Sequence, residues 1–358
     1  MRIAIVTDAW HPQVNGVVRT LQTTVNALRA GGHELDVLTP DQFASVPCPG
    51  YPEIRLALGA GRAVASRLRG FAPDAIHVAT EGPLGWAARG YCLRGGKPFS
   101  TSFHTRFPEY VAMRTGMPAK WIWPVMRRFH GRSDSIMVAT ETLARELADQ
   151  GLTRTHRWSR GVDLELFSPG NPPLPEMLGL PGPVQLYVGR VAVEKNIEAF
   201  LNSDTPGSKV VIGDGPARAA LALAFPDALF LGARHGQALA SAYATADVLV
   251  FPSRTDTFGL VMVEALASGT PVAAYPVPGP LDILADKGRA LPVGAMDDDI
   301  GAATMRALTM DRGACAAEGR RYDWGRCTQQ FLAGLRVDAS AIGEFDVPQE
   351  LCRQLEPS

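Results

Sequence analysis

Ile3-Ala4-Ile5-Val6-Thr7 begins the stretch that decides the fold. Five apolar or β-branched residues in a row suit a buried strand, and Val17, Leu21, Val25 and Leu28 then recur at helical spacing. Gly31-Gly32 ends that helix, and Leu35–Leu38 resumes a strand. Residues 3–38 therefore read as a strand–helix–strand unit, whose crossover makes the strands parallel. Outward from this unit the pattern repeats. Ala75–Ala79, Phe99–Phe103 and Ile136–Ala139 read as strands, and Thr142–Gln150 as a helix that Thr140 can cap. Gln185–Val188, Lys209–Ile212, Ala228–Leu231, Val248–Phe251 and Val272–Tyr275 continue the series, with intervening helices that include Leu239–Ala246 and Gly259–Ala267. Such alternation predicts an α/β fold of doubly wound parallel sheets.

A chain of 358 residues has room for two domains. Six prolines and three glycines fall within Pro169–Pro183. That composition resists helix and predicts a linker at 169–183, between a first domain at 1–168 and a second at 184–336. The final helix, near Asp323–Leu335, is expected at the end of the second domain, and the acidic tail 337–358 is expected to return toward the first. Residues 1–150 carry 17 basic and 12 acidic side chains, whereas 151–358 carry 18 and 24. The net charge of −1 thus conceals a basic first half. Residues 55–132 hold 13 basic side chains against Asp74, Glu81 and Glu109 alone, which suits an anionic surface or ligand. There is no uncharged apolar run of about 18 residues, so no spanning helix is expected, and the start lacks the regions of a signal peptide. The 5 cysteines form no CxxC pair, which points away from a zinc or disulfide framework and toward a cytoplasmic setting.

Ligands of open α/β sheets bind beyond the carboxyl ends of the strands, so the residues just after each strand matter most. The richest such stretch is Phe251-Pro252-Ser253-Arg254-Thr255-Asp256-Thr257-Phe258-Gly259-Leu260, continuing through Glu264 to Pro271. A helix opening near Gly259 offers free amides and a positive dipole end to a phosphate. Asp256 precedes it and Glu264 lies inside it; eight residues at helical rise span at most about 12 Å. That separation suits two carboxylates gripping opposite ends of a nucleoside diphosphate sugar. Glu264 has Val261, Val263, Ala265 and Leu266 around it, and a carboxylate among apolar positions needs a partner. Arg190, just after the strand Gln185–Val188, and Lys195, at the opening of the next helix, suit a pyrophosphate as a bidentate fork and a point charge. The plainer alternatives are an N-cap for Asp256, a solvated helical position for Glu264, and a solvated basic pair beside Glu194. Asp297-Asp298-Asp299 reads as an acidic helix start rather than a metal site. Gly59-Ala60-Gly61 and Gly213-Asp214-Gly215 each lack the third glycine of a dinucleotide fingerprint.

The Asp256-x7-Glu264 spacing, followed by Ala-Leu-Ala-Ser-Gly-Thr-Pro-Val, resembles the retaining glycosyltransferases of family 4. Further pieces match in order: Asn15-Gly16-Val17, Ser102-Phe103-His104-Thr105-Arg106-Phe107-Pro108-Glu109-Tyr110, Arg160-Gly161-Val162-Asp163, Gly189-Arg190-Val191 with Glu194-Lys195, and Gly213-Asp214-Gly215-Pro216. The family usually has glutamate first, so Asp256 is a departure with a shorter arm. The resemblance implies the GT-B fold, two Rossmann-like domains across a cleft, and a nucleotide-sugar donor as substrate with no cofactor and no metal. It implies that Arg190 and Lys195 hold the donor phosphates and stabilise the departing nucleoside diphosphate. Asp256, Phe258, Gly259 and Glu264 would hold sugar and ribose, Gly16 would let the first-domain backbone approach the phosphates, and His104 would complete the sugar pocket as a positioning or electrostatic group. It also implies front-face attack by the acceptor hydroxyl. Glu109, Tyr110 and Asp8 are candidates for the acceptor side, with packing or capping as alternatives, and Glu81 reads as a helix cap.

Residues 106–132 interleave Met117, Trp121, Trp123 and Met126 with Lys120, Arg127, Arg128 and Arg132. Aromatic residues beside cations suit an anionic membrane surface, and no nucleic-acid module signature accompanies them. A charged surface over a core helix is the alternative. The expectation is a peripheral enzyme at the inner face of the membrane with a lipid acceptor. The site wording resembles members that glycosylate diacylglycerol, sulfolipid-forming enzymes among them, and mannosyltransferases that build glycolipids. UDP-glucose or UDP-glucuronate onto diacylglycerol is the favoured expectation and GDP-mannose onto a glycolipid the runner-up; a non-catalytic nucleotide-sugar binder and an epimerase are the competing classes.

Overall fold

A computed structural model describes residues 1–13, 15–48, 51–104, 106–108, 111–112, 116–285 and 288–338, the side chains of 51–53 apart. In the first half, β1 (Arg2–Val6), β2 (Glu34–Leu38), β3 (Ser45–Cys48), β4 (Tyr51–Ala57), β5 (Ala75–Val78), β6 (Ser100–Phe103), β7 (Ser135–Val138) and β8 (Thr155–Arg157) follow in order. Six of them form one sheet, β2-β1-β5-β6-β7-β8, with every pair parallel, while β3 and β4 make a separate antiparallel hairpin. The second half supplies β9 (Val184–Val188), β10 (Ser208–Ile212), β11 (Leu229–Gly232), β12 (Val248–Phe251), β13 (Val272–Ala274) and β14 (Gly294–Met296), in the parallel order β11-β10-β9-β12-β13-β14. Each sheet winds outward from one strand, to β2 and then β5 from β1, and to β10 and then β12 from β9. The strand order reverses there, which opens a crevice at the carboxyl ends. The predicted pair of doubly wound α/β domains is present.

Strands β5, β6, β7, β9 and β12 are buried throughout, as parallel strands covered on both faces must be. Strand β6 is nevertheless polar, Ser100-Thr101-Ser102, and two imidazoles satisfy it. His77 reaches Ser100 Oγ at 2.9 Å and Ser102 Oγ at 2.7 Å, and His130 Nδ1 reaches Thr101 Oγ1 at 3.0 Å. Burial pushes His77 down to about 3, so it serves as a neutral ring.

Helix Glu141–Asp149 is capped by Thr140 as predicted, the hydroxyl accepting from Leu143 N at 3.2 Å. The helix expected at Leu239–Ala246 starts a turn earlier, Gly236–Thr245, and that expected at Gly259–Ala267 spans Leu260–Ala267.

Two expectations about organisation are corrected. The final helix, Trp324–Gly334, packs on the first sheet: Cys327, Phe331 and Leu335 share a core with Ile3, Ile5, Leu21, Val25, Met137 and Trp158. Its small residues permit this, since a Cβ on Gly334 would lie 2.5 Å from the His156 ring. The chain therefore crosses between halves twice at one place, where Val162 N donates to Tyr322 O at 2.8 Å and pairs with Asp323. Gly161 is needed there, because a Cβ would meet the Trp324 indole at 2.5 Å. Secondly, the Pro/Gly-rich stretch 169–183 does not span the halves. Leu174 and Met177 are buried in the second core with Phe167, and Leu174 N donates to Thr245 Oγ1 at 2.8 Å. This stretch instead runs through turns and the short 3-10 helix Pro175–Met177 on the second domain. Of the tail, Val337 pairs antiparallel with Ala75, and Lys97 Nζ donates to Asp338 at 3.0 Å; residues 339–358 lie outside the described residues.

Phe331→Ala should lower the unfolding free energy by about 3–5 kcal/mol, read by urea titration. A loss below about 1 kcal/mol would contradict the placement of the final helix in the first core.

Candidate active site

The loops after β9, β10 and β12 build the second-domain side. Gly189, Gly213 and Gly215 adopt φ of 152°, 142° and 156°. A Cβ on Gly213 would stand 1.8 Å from Gly189 O, and one on Gly215 2.3 Å from Val191 O. These glycines thus let the two loops lie together, with Val191 N donating to Asp214 O at 2.9 Å. The turn Val193–Lys195 then aims Lys195 at the β12 loop, where Nζ stands 2.5 Å from Asp256 Oδ1. Burial by itself would raise the Asp256 carboxyl, but Lys195 and a hydrogen bond from Ser253 hold it below its ordinary value, so Asp256 is ionised at neutral pH. Asp256 is therefore an ion-pair partner and no helix cap. Asn196 takes a left-handed conformation, φ 53°, and donates from Nδ2 to Pro252 O at 3.3 Å, which ties the same two loops again. Arg190 lies half-buried just after Gly189, and its carbonyl accepts from the Tyr187 hydroxyl at 2.9 Å.

Helix Leu260–Ala267 starts from Gly259 at φ 88°, where a Cβ would also meet Met262 Cε at 2.8 Å and the Phe251 ring at 2.9 Å. Glu264 lies within it, 2% exposed. One carboxylate oxygen accepts from the Tyr243 hydroxyl at 2.8 Å and the other from Arg19 of the first domain. Burial raises the Glu264 carboxyl, an effect that Arg19 and Tyr243 partly offset. Phe258, expected among the residues that hold sugar and ribose, turns its side chain into the second-domain core. Its ring is 4% exposed and packs edge-on to Tyr322, 6.0 Å between centroids, which leaves only its backbone for a ligand.

From the first domain, Gly16 opens the helix Gly16–Ala30, capped by Asn15, and a Cβ there would touch Leu260 at 3.4 Å. Gly16 therefore abuts the start of the Glu264 helix. His104 follows β6; its carbonyl accepts from Thr257 Oγ1 at 2.6 Å, its Nδ1 meets Arg160 Nη2 at 3.0 Å, and its Nε2 is buried without a partner among the described residues. Asp8 proves to be a cap: Oδ1 accepts from Leu84 N at 2.9 Å and Oδ2 from Gly85 N at 3.2 Å, at the start of helix Pro83–Gly95. Glu81 is not the cap; it pairs with His130 at 3.1 Å. Glu109 and Tyr110 lie outside the described residues. Asp299 caps helix Ile300–Ala307 with a 2.8 Å bond from Gly301 N, and Asp297 pairs with Arg306 at 2.8 Å.

The structure thus gathers Gly16, His104, Lys195, Asp256, Gly259 and Glu264 where the carboxyl ends of the two sheets meet. Sequence reading missed Arg19, Tyr243 and Arg160, which supply the polar partners, and Asp282, whose carboxylate accepts from Glu141 N at 3.2 Å and so joins the domains. For Arg19 and Tyr243 the signal in the sequence is the need of the Glu264 carboxylate for donors; Arg160 stands in the Arg160-Gly161-Val162-Asp163 stretch without an assigned role, and Asp282 has no signal. Away from the cleft, helix Trp123–His130 buries Met126, Phe129 and His130. Its other face exposes Val125 at 50%, continuing from Trp121 at 65% and Met117 at 42%, with Lys120, Arg127, Arg128 and Arg132 exposed around them.

Two facing Rossmann-like halves with a cation–carboxylate pair at the cleft define a GT-B glycosyltransferase, and sequence comparison agrees. Residues 14–166 match the model for Glycosyltransferase Family 4 and residues 182–311 that for Glycosyl transferases group 1. The chain belongs to family 4 of the glycosyltransferases. It is 35% identical over 354 residues to a GDP-mannose-dependent alpha-mannosyltransferase of Mycobacterium tuberculosis, covering 91% of this chain and 93% of that one. An alpha-monoglucosyldiacylglycerol synthase of Streptococcus pneumoniae is 27% identical, covering 80% of this chain and 74% of its own. The fold matches that of sucrose-phosphate synthase from Thermosynechococcus elongatus with a TM-score of 0.72 at 21% identity, over 93% of this chain and 97% of that one.

Tyr243→Phe should cost about 1–3 kcal/mol at pH 7, because it strips a donor from a buried carboxylate. Folding raises the Glu264 carboxyl, so this group costs stability above its folded-state value and nothing below its unfolded one. The variant enlarges that shift, so its deficit should shrink as pH falls toward about 4. Denaturant titrations at several pH values check this; a deficit independent of pH would contradict it.

Proposed function

We propose that the protein transfers a hexose, with retention and without a metal ion, from a nucleoside diphosphate sugar to a lipid acceptor in the cleft. The observation that carries the reading is the Lys195–Asp256 pair, which sets a cation and a carboxylate side by side at the switch point of the second sheet. Lys195 and Arg190 stabilise the charge that grows on the diphosphate as the glycosidic bond breaks. Asp256, already held ionised, takes sugar hydroxyls, and Glu264 takes the ribose once Arg19 has yielded its place. The acceptor oxygen attacks the anomeric carbon from the face the diphosphate leaves, and its proton passes to a departing phosphate oxygen. The bond broken joins anomeric carbon to phosphate oxygen; the bond formed joins it to the acceptor.

The activity named for the mycobacterial relative supports GDP-mannose as the donor and a glycolipid as the acceptor. A UDP-sugar, glucose or glucuronate, passed to diacylglycerol is the second reading, favoured by the pneumococcal relative. The exposed Met117, Trp121 and Val125 among Lys120, Arg127, Arg128 and Arg132 support docking to an anionic leaflet, each cation adding about 1 kcal/mol. Among the described residues, no helix is long and apolar enough to cross a membrane; the proposed association is peripheral, at the cytoplasmic face.

Incubation with labelled GDP-mannose, UDP-glucose and UDP-glucuronate in turn, with diacylglycerol and its glycosylated forms, followed by lipid chromatography, decides donor and acceptor. GDP-mannose should give a labelled lipid. Lys195→Ala and Glu264→Ala should each lower transfer at least about 100-fold while leaving the circular dichroism spectrum unchanged. Full activity in either, or binding of nucleotide sugars without turnover, would refute the reading. In flotation, the protein should rise with anionic vesicles, and Trp121→Ser with Arg127→Gln should weaken this; wild-type protein remaining at the bottom would sink the membrane assignment.

A further inference from the structure

Arg160 is a buried cation without a buried anion. It is 5% exposed, Nη1 donates to the carbonyls of Trp158 at 2.7 Å and Ser159 at 3.1 Å, and the guanidinium lies 4.8 Å from the Trp158 ring centroid. Among the described residues no carboxylate pairs with it. Burial lowers the guanidinium to about 10, which leaves it charged at neutral pH. Its remaining contact is Nη2 to His104 Nδ1, at 3.0 Å.

A guanidinium has donors and no acceptor, so Nδ1 must accept. A neutral imidazole that accepts at Nδ1 carries its proton on Nε2. Among the described residues that Nε2 is buried without a hydrogen-bond partner, and a buried donor left unsatisfied is unfavourable until an oxygen arrives. The other ionisable groups facing His104 are His77, neutral between two serines, and His130, bonded to Thr101 and Glu81. Protonation of His104 would break the Arg160 bond and set two cations together.

We infer that Arg160 is a positioning residue that fixes His104 as the Nε2–H tautomer, so that a neutral ring donates a hydrogen bond to an oxygen of the donor sugar. The sugar contact rests on the function proposed above; the tautomer does not. Burial first, then Arg160, holds His104 well below the ordinary imidazole range, so wild-type transfer should be flat between pH 6 and 8 as far as this group is concerned.

The test is nitrogen-15 NMR of histidine-labelled full-length protein, with the His104 signals assigned among the 7 histidines by their loss in His104→Gln. Wild type should show the Nε2–H pattern throughout pH 6–8. Arg160→Met should mix the tautomers and raise the imidazole pKa, and kcat should fall on the acid side; Arg160→Lys, which keeps a charged donor, should restore the Nε2–H pattern. GDP-mannose should move the Nε2 resonance where GDP alone does not. A wild-type Nδ1–H pattern, or an Arg160→Met spectrum identical to wild type, overturns the assignment of Arg160. If Arg160→Met fails to fold, the wild-type tautomer alone decides. An Nε2 signal unmoved by GDP-mannose overturns the sugar contact and leaves the tautomer standing, and absence of transfer from any donor refutes the proposed function without touching either spectrum.

Discussion

Glu264 is a carboxylate placed in an apolar helix with 2% of its surface exposed, and the meeting of the two domains follows from how that charge is satisfied. An isolated buried carboxylate is unaffordable in a low dielectric. Tyr243 supplies one donor from within the second domain, and the other comes from Arg19, on a helix of the first. The same economy recurs at Asp282, which caps helix Glu141–Asp149 across the boundary, and at Thr257, which donates to the His104 carbonyl. These ties are polar and individually modest. In the proposed function, a donor that offers its own hydroxyls would take the place of Arg19.

The active-site charges obey the same rule. Lys195 and Asp256 neutralise one another. In the proposed reaction a nucleoside diphosphate sugar would bring a diphosphate for the cation and hydroxyls for the carboxylate, so that binding would exchange one satisfied arrangement for another. His104 differs: among the described residues its Nε2 has no partner to exchange.

Much of this was readable from sequence, because local pattern determines local structure. The strand–helix alternation, the Thr140 cap and the loop positions of Asp256 and Lys195 depend on periodicity and on residues near in sequence. The destination of the final helix was not readable: its Cys327, Phe331 and Leu335 face is equally suited to either domain, and only the Gly161–Trp324 and Gly334–His156 contacts settle it. In the Pro169–Pro183 stretch stiffness does not imply span, because Leu174 and Met177 anchor it to the second core. Arg19, Tyr243, Arg160 and Asp282 stayed hidden because each acts on a group more than 20 residues away. Asp8 rather than Glu81 caps helix Pro83–Gly95 for the same reason, since that cap comes from 76 residues upstream.

The claim on which the account stands is that the nucleotide sugar binds where the carboxyl ends of both sheets meet, and hydrogen–deuterium exchange with and without GDP-mannose tests it most directly. The account predicts slowed exchange confined to amides of residues 15–19, 189–196 and 252–264. Protection elsewhere, with those three segments unchanged at saturating donor, would contradict it.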